Sequence, residues 1–91
     1  MFLAKVHGNV VSSVKNKELT GQKLLLVRKI DLEGNFMDNK DIIAIDYVSA
    51  GPGDIVMVTQ EGDAVQQIIN NKKSPVHTII VGVVDKISVT V

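Results

Sequence analysis

With 10 basic and 10 acidic side chains among 91 residues, the chain has a formal net charge of zero. It therefore lacks the bulk attraction on which a nucleic-acid or anionic-membrane surface depends. Cysteine is absent, so neither a disulfide nor a thiolate zinc site can support so small a core, and oligomerisation is the remaining common device.

Residues 1–91 suffice for one domain. The opening "MFLAKVHGNVV" has no basic segment followed by an apolar stretch and a small-residue cleavage site, and no run is long enough to span a bilayer. A cytoplasmic protein without a membrane partner is expected.

In chain order, the first predicted element is a long strand. Phe2, Ala4, Val6, Gly8 and Val10 alternate with Leu3, Lys5, His7, Asn9 and Val11, leaving one cleaner apolar face. Ser12 to Gln22 reads as a polar connection in which Gly21 permits a positive φ. The second strand, "KLLLVRKIDL", places Leu24, Leu26, Arg28, Ile30 and Leu32 on one face and Lys23, Leu25, Val27, Lys29 and Asp31 on the other, so its first half is apolar on both sides. Gly34-Asn35 supplies turn chemistry in a protruding loop, "IIAIDYV" a third strand, "SAGPGD" a break, and "IVMV" a fourth strand.

"EGDAVQQIINNKK" predicts the one helix. Asp63 caps it with Gln66 three residues on, Ala64, Val65, Ile68 and Ile69 form an apolar stripe, and Lys72 and Lys73 sit near the negative end of the dipole. The last strand carries Ile79 to Val84, apolar on both faces. Five strands with one short helix before the last predict an all-β fold, a small five-stranded barrel of the oligonucleotide/oligosaccharide-binding (OB) type.

No catalytic constellation is legible. His7 and His77 stand in no metal-ligand spacing, Ser12-Ser13 lacks a nucleophile elbow, and "AGPGD" lacks the pattern of a phosphate loop. Asp31, Asp46 and Asp85 end or interrupt strands and define no acid/base pair. Phe2, Phe36 and Tyr47 are too few aromatics for a single-strand stacking platform. No enzyme, metal, cofactor or nucleic acid is therefore expected.

The positive signal is surplus apolar strand surface, which marks an interaction site when it is exposed. The second faces of the two double-sided strands, Lys23, Leu25 and Val27 with Ile80, Gly82 and Val84, are the expected subunit-interface residues. A monomeric or dimeric barrel that binds oligonucleotide or oligosaccharide remains the alternative.

Leu3, Ala4, Val6, Gly8, Val10-Val11-Ser12-Ser13, Lys15, Leu19, Gly21 and Lys23-Leu24-Leu25-Leu26-Val27 resemble the opening of the EutN/CcmL family of bacterial microcompartment vertex proteins. The similarity resumes at Asp46, Val48 and Ala50-Gly51, and again over Val81-Gly82-Val83-Val84-Asp85-Lys86-Ile87, in the family's order. The resemblance implies a β-barrel that forms homopentamers, caps the vertices of a shell tiled by hexameric facet proteins, and supplies the curvature that closes it. It implies further that Ser49, Ala50, Gly51, Pro52 and Gly53 are loop residues at a five-fold pore. Two positions depart from the family: Ser49 stands where a glycine is common, and Val65 falls near a usual arginine. Nothing in the residues assigns the enclosed pathway.

Overall fold

The computed structural model describes residues 1–10, 23–60 and 76–90. The predicted helix at 63–73 and the polar connection at 12–22, with Val11, Ser12, Ser13 and Gly21, lie outside them.

Five strands form where the alternating and double-faced runs predict them: β1 Phe2–Asn9, β2 Leu24–Lys29, β3 Ile42–Asp46, β4 Ile55–Thr59 and β5 Ile79–Val83. They close into a barrel in the order β1-β2-β3-β5-β4, with β4 pairing back onto β1. All pairs are antiparallel except β3 with β5, which meet through two residue pairs only, Ile45 with Ile79 and Asp46 with Ile80. This is the expected OB-like architecture.

The interior is small and filled by the chain itself. Ala4, Val6, Leu25, Val27, Ala44, Val56, Val58 and Ile80 form its core, and Ala50 packs with them. Alanine and valine fit because five strands enclose a narrow bore with little room for longer side chains. At one end Lys29 lies over the ring of Phe2, 4.8 Å from its centroid.

The register corrects the expected facing of β2. Residues directly opposite in a sheet share a face, and the inward Val6 pairs with Val27 while the inward Ala44 pairs with Leu25. Leu25 and Val27 are consequently core residues, and Leu26 and Arg28 point outward. Likewise Val58 stands opposite Ile80 and takes it into the core. Leu25, Val27 and Ile80 thus leave the list of side chains that a neighbouring subunit can touch.

A second set of residues is buried on the outer side of the same sheet. Leu24 pairs with Ile45, Ile45 with Ile79, and Ile79 with Thr59, making one row across four strands. All four are buried. The double-faced character of Leu24-Leu25 and Ile79-Ile80 is therefore satisfied within one chain. Beyond this row β5 opens outward, through half-buried Val81 and Gly82 to exposed Val83.

Because Leu25 is fully enclosed, Leu25→Ala is expected to cost roughly 2–5 kcal/mol. A urea-unfolding midpoint indistinguishable from that of the unaltered chain would return Leu25 to the surface.

Candidate assembly surface

Three features of the barrel exterior follow from strand ends and outward side chains. The first is the loop from Asp46 to Asp54. The carboxylate of Asp46, fully buried, accepts from Val48 N–H at 3.0 Å and from Ala50 N–H at 2.9 Å. Lys23 Nζ sits 3.1 Å from the same carboxylate and donates to the Ala50 carbonyl at 2.7 Å. One buried acid thus organises the chain as it leaves β3, and Lys23 closes the arrangement from the start of β2.

Farther along, Asp54 accepts from Gly51 N–H at 2.9 Å, and Gly53 N–H donates to the Val6 carbonyl at 2.9 Å. Gly53 has φ +89° and Ser49 has φ +59°. Ser49 therefore occupies left-handed space at the position where glycine was expected, and the Asp46 clamp on both sides of it holds it there.

The second feature is a polar cluster on the outer face of β1 and β2. Arg28 donates to both carboxylate oxygens of Asp41, at 3.0 and 3.2 Å, and lies over the Phe36 ring, 5.1 Å from its centroid. His7 Nδ1 is 2.9 Å from Asp41 Oδ1, and its ring tilts against Phe36 at 5.5 Å. The cluster fastens the segment between β2 and β3 onto the barrel. That segment begins as a tight turn in which the Asp31 carboxylate accepts from Glu33 and Asn35 N–H groups, and Gly34 takes φ +87°. The Arg28 guanidinium first, and His7 second, hold the Asp41 carboxyl below its ordinary pKa.

The third feature is apolar. Met1, Met37 and Met57, all three methionines of the chain, line one groove of about 530 Å³ with Phe2, Leu3, Ile30 and Leu32. Met1, Leu32 and Met37 are exposed by more than half of their surface. Leu3 pairs with Met57 and Met57 with Gly82, so an apolar band crosses β1, β4 and β5 on the outer side. A Cβ built on Gly82 would meet nothing within 4 Å.

The expected interface residues thus divide. Gly82 opens to the exterior, and Val84, half-buried, donates its N–H to Ile55 at 2.8 Å. Lys23 is engaged by Asp46 and the Ala50 carbonyl, and Leu25, Val27 and Ile80 are interior. Of the expected loop residues, Pro52 and Gly53 are exposed with Ser49, Gly51 is half-exposed and Ala50 is core. Of the motif residues, Gly8 and Val10 lie at the end of β1, Leu24 in the buried outer row, Val81 on β5, and Asp85 exposed just beyond it.

Sequence reasoning missed Arg28, Asp41, Phe36 and the methionines. No local pattern joins them, since His7 and Asp41 stand 34 residues apart. Strand parity alone, with Lys5, His7 and Arg28 all outward, was the available signal.

A barrel whose described interior is filled by its own side chains, with methionine, leucine and aromatic surface outside it, carries the exposed apolar surface by which proteins of the assembling class make their contacts. Comparison makes the class definite. Across 89 residues the sequence is 38% identical to the carboxysome shell vertex protein CcmL of Nostoc sp. PCC 7120, covering 98% of this chain and 87% of that one. It is 35% identical to the microcompartment shell vertex protein PduN of Salmonella typhimurium, covering 97% and 99%. In structure it superposes on the pentameric microcompartment shell protein GrpN of Rhodospirillum rubrum with a TM-score of 0.83 at 36% identity, covering 99% and 100%.

The sequence profile of the family described as ethanolamine utilisation protein EutN/carboxysome matches residues 1–85. The chain belongs to this EutN/CcmL family. It is a structural shell protein of the microcompartment vertex class and not an enzyme. The relatives lend no support to a monomeric oligonucleotide- or oligosaccharide-binding barrel.

Two outcomes test the geometry of the loop and the cluster. Asp46→Ala leaves Lys23 and two N–H groups without their acceptor and is expected to cost roughly 3 kcal/mol, whereas Ser49→Gly removes a left-handed side chain and is expected to gain up to about 1 kcal/mol; thermal unfolding of both variants reads the difference. The depressed Asp41 pKa means that its contribution is complete above the ordinary carboxylate range and is lost as pH falls through the lower, folded-state value. Stability measured below about pH 4 is therefore expected to fall less steeply in Asp41→Asn than in the unaltered chain.

Proposed function

We propose that five copies of this chain close into a ring that occupies the vertices of a microcompartment shell in the bacterial cytoplasm, and that the rim of the ring meets hexameric facet proteins. A flat hexagonal layer cannot close on itself, and five-fold units at its corners supply the missing curvature. The chain-long likeness to pentameric shell proteins carries this reading.

Ring closure needs heterologous contact, in which one face of each subunit meets a different face of the next. The band of Leu3, Met57 and Gly82, with Met1 and Met37 beside it, is the proposed contribution of one face. Its apolar side chains supply burial, and the bare backbone at Gly82 lets a neighbour approach closely. The loop at Ser49, Gly51, Pro52 and Gly53 is proposed to face the five-fold axis, where the Asp46 clamp would fix its shape. Facet contacts would then fall to the polar rim, where His7, Arg28 and Lys5 point outward.

Native mass spectrometry over a dilution series tests the assembly, and a discrete species of five subunits is expected. Gly82→Glu separates assembly from folding, because the barrel has room for the new side chain while a subunit contact there would bury an unpaired charge at a cost of several kcal/mol. A folded monomer is the expected product. Normal pentamers from Gly82→Glu would remove Gly82 from the interface.

A further inference from the structure

We infer that Met1, Met37 and Met57 form one oxidation site, at which a peroxide converts thioethers to sulfoxides and so withholds the unassembled chain from the ring. The inference rests on the reading above, in which the band of Leu3, Met57 and Gly82 meets the next subunit, and it adds a chemical control on that contact.

The chain has three methionines and no cysteine, so these side chains hold all of its sulfur. They come from the residue before β1, the β2–β3 connection and β4, and the fold gathers them on one groove. Met1 is 68% exposed, Met37 66% and Met57 37%. Flexible, polarisable side chains suit a surface that must adapt to a neighbour. None of the three belongs to the buried core, so chemistry at their sulfurs leaves that core intact.

The reaction is a two-electron oxygen transfer. A sulfur lone pair attacks one oxygen of hydrogen peroxide, the O–O bond breaks as the S–O bond forms, and water leaves; sulfur is oxidised and the peroxide is reduced. The product carries a polar acceptor where an apolar side chain stood.

No side chain lining the groove can donate a hydrogen bond to that acceptor. Phe2, Leu3, Ile30 and Leu32 are apolar, and the Asp31 carboxylate is itself an acceptor, already bound by the Glu33 and Asn35 N–H groups. Covering the groove with another subunit would strip water from unpaired sulfoxides and oppose the contact. An open groove leaves them hydrated, so the effect falls on assembly and spares the fold. The sulfurs are open in the free chain and covered in the proposed ring, and the site therefore acts on subunits before they assemble.

Native mass spectrometry over a dilution series, on the full chain before and after hydrogen peroxide, tests the site. Once peptide masses show an added oxygen on all three methionines, pentamer dissociation is expected at an at least ~10-fold higher protein concentration. Methionine sulfoxide reductases are expected to reverse the shift. The Met37→Leu, Met57→Leu double variant, which keeps apolar side chains of similar size without sulfur, is expected to assemble and to respond less to peroxide. In the Gly82→Glu monomer, peroxide is expected to leave the unfolding midpoint unmoved, and Met37 is expected to oxidise at least ~10-fold faster than in the pentamer.

Fully oxidised chains that dissociate at the untreated concentration, an equal shift in the leucine variant, or equal Met37 oxidation in monomer and pentamer overturn the site and leave the vertex reading standing. A midpoint lowered by peroxide in the monomer overturns it too, because the effect would then lie in the fold. An untreated chain that stays monomeric at all concentrations overturns both.

Discussion

Closure of a five-stranded sheet is the constraint from which the other features follow. Once β4 pairs back onto β1, every strand has an inside and an outside, and the register decides which residues take each. Val6 opposite Val27, and Leu25 opposite Ala44, send the odd-numbered residues of β2 inward. The bore is narrow enough for Ala4, Ala44 and Ala50 to fill positions where a wider barrel would need leucine. Among the described residues the interior is filled by the chain's own side chains.

The exterior is held with equal economy of parts. Strand ends in a small barrel would splay if the loops between them were loose, and here single carboxylates organise them. Asp46 gathers two backbone donors and an ammonium, Asp54 closes the next turn, and Asp31 closes the turn after β2. Arg28 and His7 converge on Asp41 and draw the β2–β3 connection against the wall. Ser49 is the local cost of this order, since the clamp imposes a left-handed backbone on a residue that has a Cβ.

Much of the architecture was legible because alternation is a local signal. On β1 the inward set of Ala4 and Val6 stands against Lys5 and His7, and the face can be read directly. On β2 and β5 it could not be read, because Leu24 and Leu25, and Ile79 and Ile80, are apolar in both directions. Their second faces looked like subunit interface and are instead buried in the same chain, along the row from Leu24 through Ile45 and Ile79 to Thr59. Gly82 pairs with Met57 on the outer side, and a Cβ added there would have no atom within 4 Å. The polar cluster was not recognisable, since Arg28, Phe36 and Asp41 carry no shared motif.

The sequence by itself determined the order of the five described strands, the turn at Gly34, and the family, since each depends on local periodicity or on residues kept in order along the chain. Only the tertiary structure decided the face of β2 that enters the core, the gathering of His7, Arg28 and Asp41, and the grouping of Met1, Met37 and Met57 in one groove. Those outcomes depend on register and on contacts between distant residues. A shift of one residue in register would exchange inside for outside, and no local pattern can specify that choice when both faces of a strand are apolar.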